Sequence, residues 1–321
     1  MADKIKKKAL IIGGAGFVGG YLARHLRDDL GYETIITKLK NETINAEGFE
    51  ICDLDILDRE NTEKVLRDIK ANVIFHLAAQ SSVAVSWKNP QLTVNVNVTG
   101  CLNILETVRS IENYSPKILL IGSGEEYGLL PKGTSLVSEE TTINPGNPYA
   151  VSKAAQNMFG ALYSKVYGMR IVMVRAFNHI GAGQLPQFVT ADFCRQAAEI
   201  VCGKRENVIR TGNLSAKRDF TDVRDVVRAY GMLAEKGRDG ETYNVGSGKS
   251  ISIEELLCKI IELSGVSIKR EIDPKRLRPS DIPEIRADIS KLQKDTGWKP
   301  QIELSQTLGE MLEVEIDKIK Q

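Results

Sequence analysis

The stretch Ile11-Ile12-Gly13-Gly14-Ala15-Gly16-Phe17-Val18-Gly19 decides the fold of this chain. It joins an apolar run to an amphipathic segment that extends to Leu30. At such a junction Gly13 permits a tight turn, Gly16 lets the backbone approach a pyrophosphate, and Gly19 lets the helix pack close to the strand. The anion would rest on the N–H groups at the helix N-terminus. The stretch therefore predicts a dinucleotide-binding turn, with a flexible glycine loop as the alternative.

Short apolar runs and amphipathic stretches alternate through the first half of the chain. The runs lie at Ala9 to Ile12, Glu33 to Thr37, Val73 to Leu77, Lys117 to Ile121 and Arg170 to Arg175. Continuous hydrophobicity in short runs is typical of strands buried on both faces, and helices between them imply right-handed crossovers. The sequence therefore predicts an α/β fold, a Rossmann doubly wound parallel sheet, over residues 1–176.

The pattern changes to loops and isolated elements after Phe177. These include a helix near Thr190 to Cys202, a motif at Arg218 to Tyr230 and the proline-rich Leu277 to Pro283. We expect a smaller C-terminal α/β lobe over residues 177–321, without a sheet of its own and with some segments returning to the first domain. A ligand should lie in the crevice between the two, at the carboxyl ends of the strands.

The composition narrows the class of ligand and the compartment. The net charge is +1, from 43 basic and 42 acidic residues without a long run of one sign, which argues against nucleic acid or a membrane as partner. The five cysteines are scattered and have no CxxC spacing, which argues against disulfides and a zinc site. The apolar run near the N-terminus is too short for a signal peptide or a membrane span. We therefore expect a cytoplasmic protein with a small-molecule substrate and no metal.

The end of the second predicted strand indicates which dinucleotide is bound. NAD-specific proteins carry an acid there, whereas this chain has Ile36-Thr37-Lys38. An acid would repel a 2′-phosphate and Lys38 could accept one, so NADP(H) is preferred and NAD(H) is the second choice. The alternative is that Lys38 is a solvated loop lysine.

Asp53 is placed to accept a hydrogen bond from the adenine amine. Further candidates for the cofactor site are Phe17, Val18, Leu54, Leu77, Ala78 and Ala79, and core packing is the alternative role of the two alanines.

A second group of candidate residues follows the strand near Ile121. Tyr149-Ala-Val-Ser-Lys153 begins an amphipathic helix, and its i, i+4 spacing puts phenol and ammonium on one face. A neighbouring ammonium and a positively charged nicotinamide stabilise a phenolate, so we expect a lowered pKa for Tyr149, as general acid in reduction and base in oxidation. Ser123 lies at a strand end, where it can hold the substrate oxygen, and Lys153 would also hold the nicotinamide ribose. A surface helical pair is the alternative.

These residues resemble the extended short-chain dehydrogenase/reductase family across nearly the whole chain. The glycine turn, His76-Leu-Ala-Ala-Gln80, Asn95-Val-Asn-Val-Thr-Gly100, Ser123 and Tyr149-Ala-Val-Ser-Lys153 occur in the family's order. The resemblance implies that Gly13, Gly16, Gly19, Asp53 and Ala79 line the cofactor, and that Ser123, Tyr149 and Lys153 are catalytic. Two long helices pair in many members to form a homodimer, and Val94 to Ile111 and Tyr149 to Tyr167 match them.

The second half resembles the branch of that family that uses GDP-linked sugars. The motifs are Arg175-Ala-Phe-Asn-His179-Ile-Gly-Ala-Gly-Gln184, Arg218-Asp-Phe-Thr-Asp-Val-Arg-Asp225 and Arg278-Pro-Ser-Asp281-Ile. The resemblance implies that Asn178 contacts the diphosphate-sugar region, that Arg218 and Arg278 bind phosphates, and that Asp281 accepts from ribose or guanosine groups. Guanidinium forks suit phosphate oxygens. Surface or inter-lobe ion pairing is the alternative role.

Within that branch the resemblance implies one of two reactions. GDP-mannose 4,6-dehydratases oxidise C4 and eliminate water across C5 and C6, whereas GDP-4-keto-6-deoxymannose reductases reduce C4 with NADPH. Glu125 matches the acid/base glutamate of the dehydratases. However, Gln80-Ser81-Ser82-Val83 departs from their Gln-Ser-His-Val, and the chain is shorter than theirs. We therefore expect a reductase that forms GDP-D-rhamnose from GDP-4-dehydro-6-deoxy-D-mannose, with a dehydratase, a bifunctional enzyme, a UDP-sugar epimerase and a non-catalytic NADP-binding regulator as alternatives.

Overall fold

The glycine turn connects the first strand and first helix of a seven-stranded sheet in the computed structural model of the protein, which describes residues 6–44, 46–276 and 282–321. The strands are β1 Lys8–Ile12, β2 Glu33–Lys38, β3 Glu50–Asp53, β4 Val73–His76, β5 Lys117–Ser123, β6 Leu136–Val137, β7 Ile171–Ala176, β8 Asn178–Ile180, β9 Val208–Thr211, β10 Lys217–Arg218, β11 Phe220–Asp222, β12 Thr242–Val245, β13 Ile251–Ser252, β14 Lys269–Ile272 and β15 Glu284–Ala287. The predicted substrate residues Arg278 and Asp281 lie outside the described residues.

Helices connect most of these strands. They are α1 Phe17–Arg24, α2 Arg59–Ile69, α3 Val83–Lys88, α4 Pro90–Val94, α5 Gly100–Ser110, α6 Pro148–Tyr167, α7 Val189–Val201, α8 Val223–Lys236, α9 Ile253–Ser264, α10 Ser290–Thr296 and α11 Leu304–Lys320. Single turns of π-helix at His25–Asp29 and Asn95–Thr99 extend α1 and join α4 to α5, and 3₁₀ turns lie at Gly124–Tyr127 and Pro274–Arg276.

The large sheet has the order β12-β7-β5-β4-β1-β2-β3, and every pair of neighbours in it is parallel. Successive side chains of its strands enter different cores, because strand side chains alternate between the two faces. Ile11 and Phe75 pack with α1 and α8, whereas Leu10 and Ile74 pack with α2 and α5. This double burial explains the continuous apolar runs and confirms the predicted doubly wound α/β fold.

The C-terminal part of the chain does form sheets, so the expectation that it has none is wrong. Strands β13, β10, β15 and β6 form a four-stranded sheet, and β11-β8 and β14-β9 form two-stranded ones. Their lengths explain the error, because strands of two to four residues are too short to show a period in the sequence. One later strand, β12, joins the large sheet beside β7. The domain boundary at residue 176 stays a prediction.

Two searches of the described residues bear on membrane and metal binding. None of the helices in that part of the chain combines the length and the apolarity that crossing a bilayer takes. Within residues 6–44, 46–276 and 282–321, no group of three or more His, Cys, Asp and Glu side chains is placed to hold a metal ion.

Candidate functional site

The glycine turn has the close packing that its sequence predicts. Gly13 adopts a φ of +81°, and a Cβ atom there would lie 2.5 Å from Cα of Ala78 at the end of β4. A Cβ atom on Gly19 would lie 2.2 Å from the carbonyl oxygen of Gly14. The Thr37 side chain fixes the turn further, since its Oγ1 accepts a hydrogen bond of 3.1 Å from the Gly13 N–H. A larger residue at either glycine would separate the turn from β4 or from α1.

The start of α1 fits an anion. Gly16 is the N-cap, no side chain of the described part of the chain caps the helix there, and its first turn has no acidic residue. The N–H groups and the dipole of the helix therefore face the turn without a competing carboxylate. A cavity of about 220 Å³ adjoins the turn and is lined by residues that include Gly14, Ala15, Gly16, Arg24 and Thr43. These features fit the pyrophosphate and adenosine part of a dinucleotide.

Lys38 and Asp53, the two residues expected to contact adenosine, form an ion pair with each other. Lys38 Nζ lies 2.8 Å from Asp53 Oδ1, and it also donates to the carbonyl oxygens of Leu39 and Lys40. The strand register explains the pair, because β2 and β3 are parallel and place Lys38 directly beside Asp53. Both residues lie at the carboxyl end of the sheet, as predicted, and Lys38 there has a carboxylate partner.

The other predicted cofactor residues line the same edge of the sheet. Leu54 is buried and its N–H donates to the Lys38 carbonyl, and the N–H groups of Leu77 and Ala78 donate to the Ile12 carbonyl. The backbone after β4 is thereby held against the glycine turn. Ala79 and Val18 are half-buried.

Ser123 and Tyr149 are brought together at the carboxyl end of β5. Ser123 is the last residue of that strand and Tyr149 is the second residue of α6, and the Ser123 side chain is near enough to the phenol to lower the pKa of Tyr149. Ser123 Oγ also accepts a hydrogen bond of 3.2 Å from the Glu125 N–H. The predicted pair of a strand-end serine and a helix-borne tyrosine therefore exists in the fold.

Lys153 lies one helical turn after Tyr149 but is bonded to other groups. Its Nζ donates to the Ile121 carbonyl oxygen at 2.7 Å and to Gln156 Oε1 at 3.0 Å. The side chain is buried, and burial lowers the pKa of Lys153 to about 8. An ammonium has three N–H donors, so one more can serve a ligand.

The pKa of Tyr149 is raised, so the expectation that its neighbours lower it is wrong for this state of the protein. Burial raises it most, the hydrogen bond with Ser123 lowers it, and the negative charges of Glu125 and Glu126 raise it. Desolvation dominates because a phenolate loses its hydration on burial. Tyr149 is consequently held as a neutral phenol, the form that donates a proton.

Asn147 is a site residue that the sequence interpretation missed. Its Oδ1 accepts from the Ala150 N–H as the N-cap of α6, and its Nδ2 donates to Glu125 Oε2 at 3.1 Å. Glu125 is therefore directed toward the start of the helix that carries Tyr149. An asparagine just before a proline and an amphipathic segment is typical of an N-cap, and this signal could have identified it.

The motif at Asn178 and His179 packs against the glycine turn, which the sequence did not predict. The Phe17 and His179 rings are stacked, with centroids 6.3 Å apart, and Tyr21 Oη donates to the Ala182 carbonyl oxygen. Burial lowers the pKa of His179, as expected for a packing histidine. Asn178 is exposed at the start of β8. The segment that follows β7 thus packs against the start of α1.

The Arg218 motif has one residue directed at the predicted substrate segment. Arg218 Nη1 donates to the carbonyl oxygen of Ile282, the residue that follows Asp281 in the chain. The three aspartates of the motif accept hydrogen bonds from backbone N–H groups instead. Asp219 accepts from the N–H groups of Ser247, Gly248 and Ala287, Asp222 caps α8, and Asp225 accepts from the N–H groups of Gln301 and Ile302.

Comparison with known proteins places this site in a family. Residues 10–311 match the family model described as GDP-mannose 4,6 dehydratase. A GDP-6-deoxy-D-mannose reductase from Pseudomonas aeruginosa is 35% identical over 241 residues, which cover 75% of this chain and 79% of that protein. GDP-mannose 4,6 dehydratase 1 from Arabidopsis thaliana is 30% identical and covers 99% of this chain and 92% of its own length.

Solved structures agree with this assignment. The structure of RMD from Pseudomonas aeruginosa complexed with NADPH has a TM-score of 0.85 at 29% identity and covers 98% of this chain and 100% of its own. The UDP-glucose 4-epimerase of Thermus thermophilus, in complex with NAD, also has a TM-score of 0.85, at 28% identity, over 96% of this chain and 98% of its own. The resemblance predicted from the sequence is confirmed: the chain belongs to the GDP-mannose 4,6-dehydratase family of extended short-chain dehydrogenases/reductases.

Proposed function

We propose that the protein reduces the C4 keto group of GDP-4-dehydro-6-deoxy-D-mannose with NADPH and forms GDP-D-rhamnose. The observation that carries the proposal is the placement of Tyr149, at the start of α6, beside Ser123 at the end of β5, where burial raises the pKa of the phenol and so keeps it protonated. A reductase needs a proton donor at the carbonyl oxygen, and a neutral phenol is one. The similarity to a GDP-6-deoxy-D-mannose reductase and to the NADPH complex of RMD supports both the substrate and the cofactor.

Each residue of the site has one task in this reaction. Bound NADPH supplies the hydride that C4 accepts. Ser123 orients the sugar oxygen by hydrogen bonding, and Tyr149 transfers its phenolic proton to that oxygen as negative charge develops there. Lys153, already fixed by Ile121 and Gln156, offers its third N–H to the nicotinamide ribose. Arg218, Arg278, Asn178 and Asp281 are the proposed contacts of the GDP-sugar.

The proposed cofactor site uses the features of the glycine turn. Gly13, Gly16 and Gly19 admit the pyrophosphate to the N-terminus of α1, where no carboxylate of the first turn opposes it. Lys38 would share its charge between Asp53 and a 2′-phosphate, which favours NADP(H) and leaves NAD(H) as the second choice. The adenine amine would bond to Asp53.

GDP-mannose 4,6-dehydration is the second candidate, because Glu125 lies beside the Tyr149 helix and is held there by Asn147. A carboxylate at this position could remove the C5 proton that elimination of water requires. Two relatives carry the dehydratase name at 30% identity over almost the whole chain. The two reactions share the chemistry at C4 and differ in the use of Glu125.

The proposed assembly is a homodimer through α5 and α6. Val151, Met158, Leu162 and Val166 lie one or two turns apart on α6, and half or more of each side chain is exposed. An apolar stripe of this kind on a long helix is typical of an interface. We expect the enzyme to act in the cytoplasm, where its five free cysteines would stay reduced.

One incubation tests the proposed function. The protein is mixed with GDP-4-keto-6-deoxymannose and NADPH, and in parallel with GDP-mannose alone, while nicotinamide absorbance is followed and the sugars are identified by NMR. Oxidation of NADPH with formation of a 6-deoxyhexose is the expected result, and the coupling at C4 identifies rhamnose. A keto sugar formed from GDP-mannose without net use of cofactor would replace the reductase by the dehydratase.

A further inference from the structure

The turn that follows Ser123 contains a buried carboxylate for which the proposed reaction has no direct use. Glu126 is fully buried, and its Oε1 accepts hydrogen bonds of 2.8 Å from the Ser123 N–H and from Asn157 Nδ2. Its Oε2 accepts from Arg175 Nε at 3.1 Å. The group receives three donors and offers none, which is the bonding of an ionised carboxylate.

The neighbouring residues provide the space and the opposite charge that the Glu126 carboxylate needs. Gly122 has no side chain at the point of closest approach, since a Cβ atom there would lie 2.3 Å from Glu126 Oε1 and 2.2 Å from Asn157 Nδ2. Arg175 supplies the opposite charge that a buried carboxylate needs. Its Nη1 reaches Tyr127 Oη, whose hydroxyl donates to Asn244 Oδ1. The turn is thereby tied to β7 and β12.

The bond to Ser123 fixes more than one residue of the site. Ser123 and Glu126 form a capping box, in which the serine hydroxyl accepts from the turn and the glutamate accepts from the serine N–H. The two bonds set the direction in which Ser123 Oγ leaves the strand and the direction of the Glu125 backbone. A side chain three residues later therefore controls where the hydroxyl partner of Tyr149 lies.

We infer that Glu126 is a positioning residue, whose carboxylate, neutralised by Arg175, holds Ser123 at the strand end where its hydroxyl can meet the substrate oxygen beside Tyr149. Small displacements of a reacting group reduce turnover without weakening the binding of distant parts of the ligand. The glycine turn follows β1, which β4 separates from β5 in the sheet. Loss of the Glu126 bond to Ser123 should therefore lower kcat and leave the binding of NADPH unchanged.

Two double variants separate this role from simple support of the fold. Both remove the two charges of the buried ion pair together, because removing one partner alone would leave an uncompensated buried charge. In E126Q/R175M the amide oxygen can still accept from the Ser123 N–H, whereas E126L/R175M has no acceptor. We expect kcat of the first within about threefold of the wild type and kcat of the second lower by roughly tenfold to a hundredfold. KM for the sugar and Kd for NADPH should stay within about threefold in both.

The activity arm rests on the proposed function, so it uses whichever of GDP-4-keto-6-deoxymannose and GDP-mannose the wild type converts. A second arm needs no sugar. Hydrogen exchange of the peptide that contains Ser123 should be faster in E126L/R175M than in E126Q/R175M when both are loaded with NADPH. A wild type without turnover would overturn the proposed function and leave the exchange arm to decide this inference.

Equal kcat and equal exchange in the two folded variants would overturn the role of Glu126. E241Q is the control, because Glu241 forms an ion pair with Lys291 at the amino end of β12, and its kcat should equal that of the wild type. If E126L/R175M does not bind NADPH, E126A/R175M replaces it. Its smaller side chain also has no acceptor for the Ser123 N–H, so the same loss of kcat is expected.

Discussion

The side-chain amide of Asn147 donates a hydrogen bond of 3.1 Å to Oε2 of Glu125, and it does so while its own oxygen caps the helix that carries Tyr149. Glu125 is therefore fixed relative to Tyr149 by one residue. A carboxylate that only shaped the substrate pocket and one that removed the C5 proton would both occupy this position. The two roles differ in which enzymatic activity remains when the charge of Glu125 is removed.

Glu125→Gln distinguishes the two reactions. The amide keeps the size of the side chain and one acceptor for Asn147, but it cannot accept a proton from C5. Reduction of the keto sugar should change by less than about fivefold, whereas any dehydration of GDP-mannose should fall by roughly a hundredfold or more. Parallel assays of the two substrates measure both. A hundredfold loss of reduction would mean that Glu125 has a direct part in the reductase reaction.

Tyr149→Phe should remove the proton donor and keep the ring. We expect kcat for reduction to fall by roughly a hundredfold or more, because a positioned general acid contributes about that much. Kd for NADPH, measured by fluorescence, should change little. Tyr167→Phe makes the same change at the exposed end of the same helix and should leave kcat unaltered. Normal turnover of the Tyr149 variant would exclude the tyrosine as the acid.

The sequence was informative wherever a residue's role depends on local pattern. The glycine turn, the strand end at Ser123 and the helix start at Tyr149 are all set by short segments with recognisable periods, and the fold has them as predicted. The partners of those residues come from elsewhere. Glu126 meets Arg175 only because β5 and β7 are neighbours, and Lys38 meets Asp53 only because β2 and β3 are.

The raised pKa of Tyr149 could not be predicted for a related reason. The sequence places Lys153 one turn away, but the direction of its Nζ is decided by the Ile121 carbonyl across the helix–sheet contact. The degree of burial is also a property of the assembled site. Contacts between segments that are distant in the sequence therefore cannot be predicted from a local pattern.

Lys38→Gln tests whether this lysine recognises the 2′-phosphate. Loss of the charge should lower the ratio of kcat/KM for NADPH to that for NADH by about tenfold, because a charge-assisted hydrogen bond contributes about that much. Lys40→Gln, two residues later and exposed, is the matched control. An unchanged ratio would mean that Asp53 retains Lys38 in the loaded enzyme and that another cation binds the phosphate.

Leu162→Glu tests the proposed dimer. The side chain is 50% exposed in the middle of the α6 stripe, and a carboxylate at the centre of an apolar interface would be desolvated without a partner. We expect the molar mass from light scattering to halve. Leu263→Glu, on α9 and 44% exposed, introduces the same charge outside the stripe and should leave the mass unchanged. A wild type that is already monomeric would contradict the assembly itself.

His76 should make the fold sensitive to acid. It is fully buried at the end of β4, neither ring nitrogen has a hydrogen-bond partner among the described residues, and burial with the nearby charge of Lys153 lowers its pKa to about 3. In the unfolded chain the His76 imidazole is protonated below about pH 6.5, whereas in the folded chain it stays neutral until the pH approaches 3. The free energy of unfolding therefore falls as the pH falls from 6.5 toward 3.

This loss should amount to roughly 2 kcal/mol by pH 5. Urea unfolding of the wild type and of His76→Asn at pH 7 and pH 5 measures it as the difference between the two changes. The variant lacks the titrating group, so its stability should fall less over this interval by about the same 2 kcal/mol. Phe75→Leu, at the preceding residue of β4, controls for lost packing without removing a titrating group, and it should retain the full pH dependence of the wild type. Equal pH dependence in the His76 variant and the wild type would mean that His76 is protonated in the folded protein as readily as in the unfolded chain.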